Sequence, residues 1–157
     1  LDPANDLERP RWGFTDAELA AQPHAFRDDL LDGQVCLVSG GGSGLGRAMA
    51  FLYARLGASV VICGRREEKL RSTADAIGRL IGREVGIKAM TIRDPEQVAT
   101  LMAETFERHG RLDLLVNNGG GQFPQAAIDY SVKGWNAVID TNLNGTWWMM
   151  QAAARQW

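Results

Sequence analysis

Cysteine is scarce in this chain. The only two, Cys36 and Cys63, lie inside apolar runs and form no CxxC pair, so their spacing points to buried free thiols rather than a metal knot or a disulfide. Unpaired thiols fit a reducing, cytoplasmic compartment. Histidine is equally sparse: His24 and His109 have no companions at ligand spacing, and no metal site is expected. His109 falls at the end of a helical pattern, where a favourable interaction with the helix dipole is the simplest reading. No apolar run approaches the roughly 18 residues that span a bilayer, and "LDPANDLERPRW" lacks the basic-then-apolar layout of a signal peptide, so no membrane association is expected. Charge of one sign is missing too. Seventeen basic and nineteen acidic residues leave a formal charge of -2 with no Lys/Arg block, which argues against a nucleic-acid partner.

What is present suffices for one ordinary domain: 157 residues, 45% of them hydrophobic. The chain starts at Leu1 rather than Met, so processing or missing sequence is expected. Residues 1–33 are polar and proline-punctuated and read as an N-terminal arm; Thr15, with Glu18 three residues on, can cap one short helix. From Gln34 the rhythm changes. "QVCLVS" is a short apolar run, and "GLGRAMAFLYARLG" repeats Leu45, Met49, Leu52 and Leu56 at helical spacing. "SVVIC" reads as a strand covered on both faces, followed by an amphipathic helix with Leu70, Ile77, Leu80 and Ile81. "VGIKAMTI" makes a third strand. Asp94 then caps a helix with Pro95 at its first position and Gln97 placed for a capping box, running to Gly110. "LDLLVN" is a fourth strand, and Ser131 can cap one long helix from Val132 to the chain end.

Strands alternating with helices need crossover connections, which predicts an α/β fold with a doubly wound parallel sheet. Its ligand crevice lies at the carboxyl ends of the strands. Five glycines between positions 40 and 46 occupy that place after the first strand, where a helix N-terminus favours an anion. The ATP/GTP loop is a poor fit, because Arg47 replaces the lysine and Ala48 the hydroxyl that it needs. The GxGxxG spacing fails in every frame as well. After the second strand come Arg65 and Arg66, with no acid before Glu67. In dinucleotide sites an acid there bonds the ribose of NAD and arginine accommodates the 2′-phosphate of NADP, so NADP is the expected cofactor.

Three stretches together resemble the short-chain dehydrogenase/reductase family. "SGGGSGLG" is similar to its TGxxxGxG cofactor motif with Ser39 in place of threonine, "NNGG" at 117–120 to its NNAG segment, and "DTNLNGT" at 140–146 to the stretch carrying its catalytic asparagine. The likeness runs over about residues 33–157 and implies a Rossmann-type NADP-binding domain at 34–157. It assigns Ser39, Gly40, Ser43, Gly44, Leu45, Gly46, Arg65, Arg66, Ile92, Asn118, Gly119 and Gly120 to the cofactor and Asn142 to catalysis. Where the family places an acid against the adenine, this chain has Thr91. "NNGGGQF" resembles the loop of peroxisomal-type trans-2-enoyl-CoA reductases and, more loosely, of 2,4-dienoyl-CoA reductases, implying an acyl-CoA thioester as substrate with Gln122 and Phe123 beginning its wall. Carbonyl/alcohol redox, as in 3-oxoacyl reductases, and a noncatalytic NADP-binding module are the alternatives.

The family's YxxxK pair and serine are not found: Tyr130 has Lys133 at the wrong spacing, and Tyr53 falls within a helix. A strand order of 3-2-1-4 leaves "LDLLVN" as an apolar edge, and "TWWMMQAAARQW" is too apolar to lie bare. The expectation is a domain incomplete at its C-terminus, with further strands carrying the missing groups, and a homo-oligomer.

Overall fold

The computed structural model describes residues 13–157. The first twelve residues of the expected arm lie outside that range. The elements in chain order are α1 (Asp16–Ala21), β1 (Val35–Ser39), α2 (Gly44–Arg55), β2 (Ser59–Gly64), α3 (Glu67–Ile81), β3 (Val85–Ala89), α4 (Pro95–His109), β4 (Leu114–Val116), α5 (Val132–Ile139) and α6 (Thr146–Gln156). A 3-10 turn occupies Ala127–Asp129, and a π-helical turn, Asp140–Gly145, joins α5 to α6. The four strands form one parallel sheet in the order β3-β2-β1-β4, as the alternating pattern predicts.

Period-two alternation divides the core between the two faces of the sheet. Val35, Leu37, Val61 and Cys63 pack with Val98, Leu101 and Met102 of α4 and Met149 and Ala153 of α6. Cys36, Val38, Val60 and Ile62 face Ala50, Phe51 and Ala54 of α2 and Leu70, Ala76 and Ile77 of α3. The two thiols are therefore on opposite faces. They are also offset along the strands, since Cys36 pairs with Val60 and Cys63 with Ser39; both are free.

Several local expectations need correction. Leu45 is 78% exposed and Leu80 is exposed, although both fit the helical spacing. The buried face of α2 is Gly46, Ala50, Phe51 and Ala54, because Gly46 must be the residue turned toward Gly40. The last helix is not continuous: the π-helical turn interrupts it at Asp140. Asp94 does cap α4, accepting from the Glu96 and Gln97 amides, but the capping box does not close. Gln97 Nε2 donates to Asp94 Oδ2, and its Oε1 takes the Thr91 N–H just past β3. Around Thr15 the capping box is complete.

The arm docks behind α2 and α3. Arg47 donates through Nε to Asp16 Oδ1 at 3.0 Å and through Nη1 to Thr73 Oγ1 at 2.7 Å, and it stands over the Phe51 ring at 5.6 Å. Arg55 reaches the Leu19 carbonyl, and Leu31 N–H donates to Leu56. Among the described residues no helix is long and apolar enough to cross a membrane.

Candidate functional site

The glycine turn follows β1 because nothing larger fits it. Gly40 has φ +70° and Gly44 φ +54°, conformations that a side chain strains. A Cβ on Gly41 would strike Ile62, and one on Gly42 would lie 2.9 Å from Lys69 Cβ. The turn is thereby pressed onto β2 and the first turn of α3. Ser43 is the N-cap of α2, yet its side chain makes no capping bond, and the helix has no acid in its first turn. Its first amides and the positive end of its dipole are left for an anion.

Beside the turn, β2 delivers Arg65 and Arg66 to the N-terminus of α3. Arg66 occupies the N-cap and makes no side-chain capping bond. The described residues supply no ion pair to Arg65, Arg66 or Lys69. Three cations at a positive helix end, with no ion pair from the described residues, repel one another, which an anionic ligand would relieve.

The third wall is the loop after β4. Ser39 is fully buried and ties the two strand ends together: its Oγ donates to the Val116 carbonyl at 3.3 Å and accepts the Gly119 N–H at 2.8 Å. Asn118 Nδ2 donates to the Ser39 carbonyl at 2.9 Å. Gly120 is required by its neighbour, since a Cβ there would lie 2.6 Å from Asn142 Oδ1, whereas one on Gly119 would be a tight contact 3.1 Å from Ser39 Oγ. Asn142, on the π-helical turn, reads the next peptide reciprocally. Its Oδ1 accepts from Gly121 N–H at 3.0 Å and its Nδ2 donates to the Gly121 carbonyl at 2.7 Å.

These walls enclose a crevice of about 210 Å³ at the carboxyl ends of β1, β2 and β3. Gly40, Ser43, Arg65, Arg66, Ile92, Asn118, Gly119 and Gly120 line it. Ser39, Gly44, Leu45, Gly46 and Asn142 are not among its lining: Ser39 and Gly46 brace the turn from beneath, Leu45 points its side chain to solvent, and Asn142 holds the loop from the far side. Sequence reasoning missed Lys69, Arg93 and Thr141, all of which line the crevice. Lys69 had a signal, being a cation in the first turn of the helix that the two arginines lead into. Arg93 and Thr141 had none, because they meet only in the folded chain.

The remaining reactive groups stand apart. Burial, aided by the Asp113 charge, pushes the Cys36 thiol up to about 11, and burial pushes Cys63 to about 12, so both stay protonated at neutral pH. His109 is held below its ordinary value by burial and by Arg108, and its Nε2 has no partner. Arg108, the other basic residue in the last turn of α4, donates from Nη2 to Glu84 Oε1 at 2.9 Å. Tyr130 is stacked edge-on between Phe123 and Trp135 rather than lining the crevice. The described residues hold no group of three metal-ligating side chains.

Comparison with known proteins agrees with this geometry. The profile of the family described as short chain dehydrogenase matches residues 34–157. A probable 2,4-dienoyl-CoA reductase of Bacillus subtilis is 38% identical over 127 residues, covering 81% of this chain and 50% of its own. Among solved structures, the citronellol catabolism dehydrogenase AtuB of Pseudomonas aeruginosa superposes with a TM-score of 0.80 at 42% identity, over 84% of this chain and 54% of that one. A metagenomic short-chain oxidoreductase solved in complex with NADP gives a TM-score of 0.75 at 34% identity, over 80% and 57%. The chain thus spans about half the length of the relatives it matches. A parallel sheet with its glycine turn under the crevice, the loop pinned by Ser39 and Asn142, and a match over residues 34–157 lead to one conclusion: the chain belongs to the short-chain dehydrogenase family.

Proposed function

We propose that the protein is an NADPH-dependent oxidoreductase that reduces an enoyl-CoA-type acyl thioester, and that residues 34–157 are its nucleotide-binding part. The observation that carries the cofactor choice is the trio Arg65, Arg66 and Lys69, given no ion pair by the described residues, at the edge of a crevice whose floor is a helix N-terminus without a side-chain cap. In this reading Gly40, Ser43, Gly44, Leu45 and Gly46 receive the pyrophosphate through main-chain amides, Arg65 and Arg66 hold the 2′-phosphate, and Ile92 borders the adenine. Asn118, Gly119 and Gly120 bring main chain against the ribose. When bound, the reduced nicotinamide supplies a hydride, and one proton from the protein or solvent completes saturation of the carbon–carbon bond. Asn142 is the one member of the family's catalytic set that we assign within the chain, and its two bonds to Gly121 hold the loop against the crevice. The proton donor is not assigned within this chain, which spans about half the length of the relatives it matches. A cytoplasmic homo-oligomer completes the proposal.

Substrate choice rests on the "NNGGGQF" loop and on relatives whose names specify dienoyl-CoA reduction. The similarity to AtuB favours carbonyl/alcohol redox as the second reading. The full-length protein, assayed for NADPH oxidation with a trans-2-enoyl-CoA, a 2,4-dienoyl-CoA and a 3-oxoacyl-CoA, separates them. Preference for an unsaturated thioester supports the first reading, and preference for the oxo substrate establishes the second. Tight NADPH binding with no turnover on any substrate of either class would point to a noncatalytic module.

A further inference from the structure

Asn142 owes its position to a helix that departs from α geometry, and two consecutive residues leaving β3 grip that departure. Arg93 Nε donates to Thr141 Oγ1 at 2.6 Å, and its Nη2 donates to the Ala137 carbonyl at 2.9 Å. The Thr141 hydroxyl donates to the same Ala137 carbonyl at 2.8 Å, which closes a three-membered network. A threonine bonded back to its i−4 carbonyl bends a helix, and a side chain pressed against helix carbonyls is a recognised cause of kinks. At the other end of the turn, Gly145 is packed so closely on Ile92 that a Cβ would lie 2.7 Å from Ile92 Cγ1 and 3.1 Å from the Ile92 carbonyl. Ile92 and Arg93 therefore clamp both ends of the π-helical turn Asp140–Gly145, and Asn142 lies between the clamps, bonded twice to Gly121.

We propose that Arg93 is a positioning residue that holds the π-helical turn and so keeps Asn142 on Gly121, linking the nucleotide crevice to the catalytic asparagine. The identification of Asn142 as catalytic rests on the function proposed above; the clamp itself does not. Ile92, Arg93 and Thr141 all line the crevice, so a nucleotide bound there touches the clamp directly. Two of the three guanidinium nitrogens are already committed to protein acceptors, which makes Arg93 a strut before it is a ligand contact. Without it, a turn that relaxes to α geometry rotates its residues by as much as about 100° around the helix axis and takes Asn142 off Gly121.

The test uses the full-length protein with Arg93→Met, which keeps the stem and removes the donors, and Arg93→Lys, which restores one of them. Hydrogen exchange is read at Gly121 and across residues 137–146. Arg93→Met is expected to accelerate exchange there by roughly tenfold or more while α3 is unchanged, with Arg93→Lys between it and the wild type. With NADPH and an unsaturated acyl-CoA, kcat is expected to fall by roughly tenfold with KM for NADPH changed less than about threefold. Added to Asn142→Ala, Arg93→Met should cause no further loss. Unchanged exchange at 137–146, fully additive losses, or an effect confined to KM for NADPH would each overturn the proposal. A wild-type protein that turns over no acyl-CoA would overturn the proposed function instead, and the exchange measurement would still decide the clamp.

Discussion

Replacing Gly46 by alanine exchanges a hydrogen for a methyl group, and the structure says where that carbon must go. It would sit on the Gly40 carbonyl oxygen, 2.5 Å from Asn118 Nδ2 and 2.8 Å from the Gly40 carbonyl carbon. Contacts of this type settle at roughly 3.3 Å, so α2 must retreat by close to 1 Å or the turn must open. Neither neighbour can swing aside: Gly40 is main chain, and Asn118 is held on the Ser39 carbonyl at 2.9 Å. Overpacking costs about 1–3 kcal/mol, and losing the Asn118 bond adds about 0.5–1.5 kcal/mol. The better helix propensity of alanine returns at most about 1 kcal/mol. A net loss of about 1–3 kcal/mol is expected, together with at least tenfold weaker NADPH binding. Gly82→Ala is the control. At φ +77° with nothing within 4 Å, it is expected to cost about 1–2 kcal/mol of strain without touching the crevice. Urea midpoints and calorimetric titration with NADPH are measured on both. An unchanged midpoint and unchanged affinity for Gly46→Ala would refute the packing argument.

Three further outcomes follow from the same geometry. Arg65→Ala removes a charge-assisted contact of about 1.5–3 kcal/mol and is expected to weaken NADPH roughly 10- to 150-fold while sparing NADH; equal losses by calorimetry would exclude the 2′-phosphate role. Asp113, whose Oδ2 accepts the Val35 N–H at 2.8 Å, is held below the ordinary carboxylate range chiefly by its hydrogen bonds from Arg111. Its stabilisation is complete above about pH 5 and is lost progressively as pH falls through the unfolded value toward the lower folded one, so the wild-type urea midpoint should fall more steeply than that of Asp113→Asn between about pH 5 and pH 3. Parallel slopes would contradict it. Asp16→Ala removes the partner of Arg47, whose side chain is only 15% exposed, and should release α1. Because Asp16 itself is 36% exposed, the loss is expected at the low end, about 1 kcal/mol. Faster proteolysis between residues 14 and 33 is the readout, and an unchanged cleavage rate counts against the docking.

The sheet was legible because its signals are local. Five glycines after "QVCLVS" force the strand-to-helix turn, and the β-branched run "SVVIC" can only be a strand covered on both faces. Arg65 and Arg66 reached the crevice for the same reason, being the first two residues past a strand end. What escaped was decided by contacts distant in sequence. Leu45 fits the helical stripe as well as Gly46 does, and only the approach of Gly46 to Gly40 and Asn118 turns the leucine outward. Nothing in "DTNLNGT" encodes a π-helical turn by itself. That turn coincides with Arg93, which lies 48 residues from Thr141. Gln97 was drawn away from its capping box by the Thr91 amide, a donor that exists only because β3 ends two residues earlier.

The central claim is that the crevice holds the phosphorylated adenosine end of NADPH, and adenosine bisphosphates test it without any chemistry. Calorimetric titration of the full-length protein with 2′,5′-ADP, 3′,5′-ADP and 5′-AMP compares a phosphate at the position that distinguishes NADP, one at the position found in coenzyme A, and none. The account predicts that 2′,5′-ADP binds at least tenfold more tightly than the other two and that this advantage vanishes in an Arg65→Ala, Arg66→Ala variant. Equal affinity for the three, or an advantage that survives loss of both arginines, would contradict it.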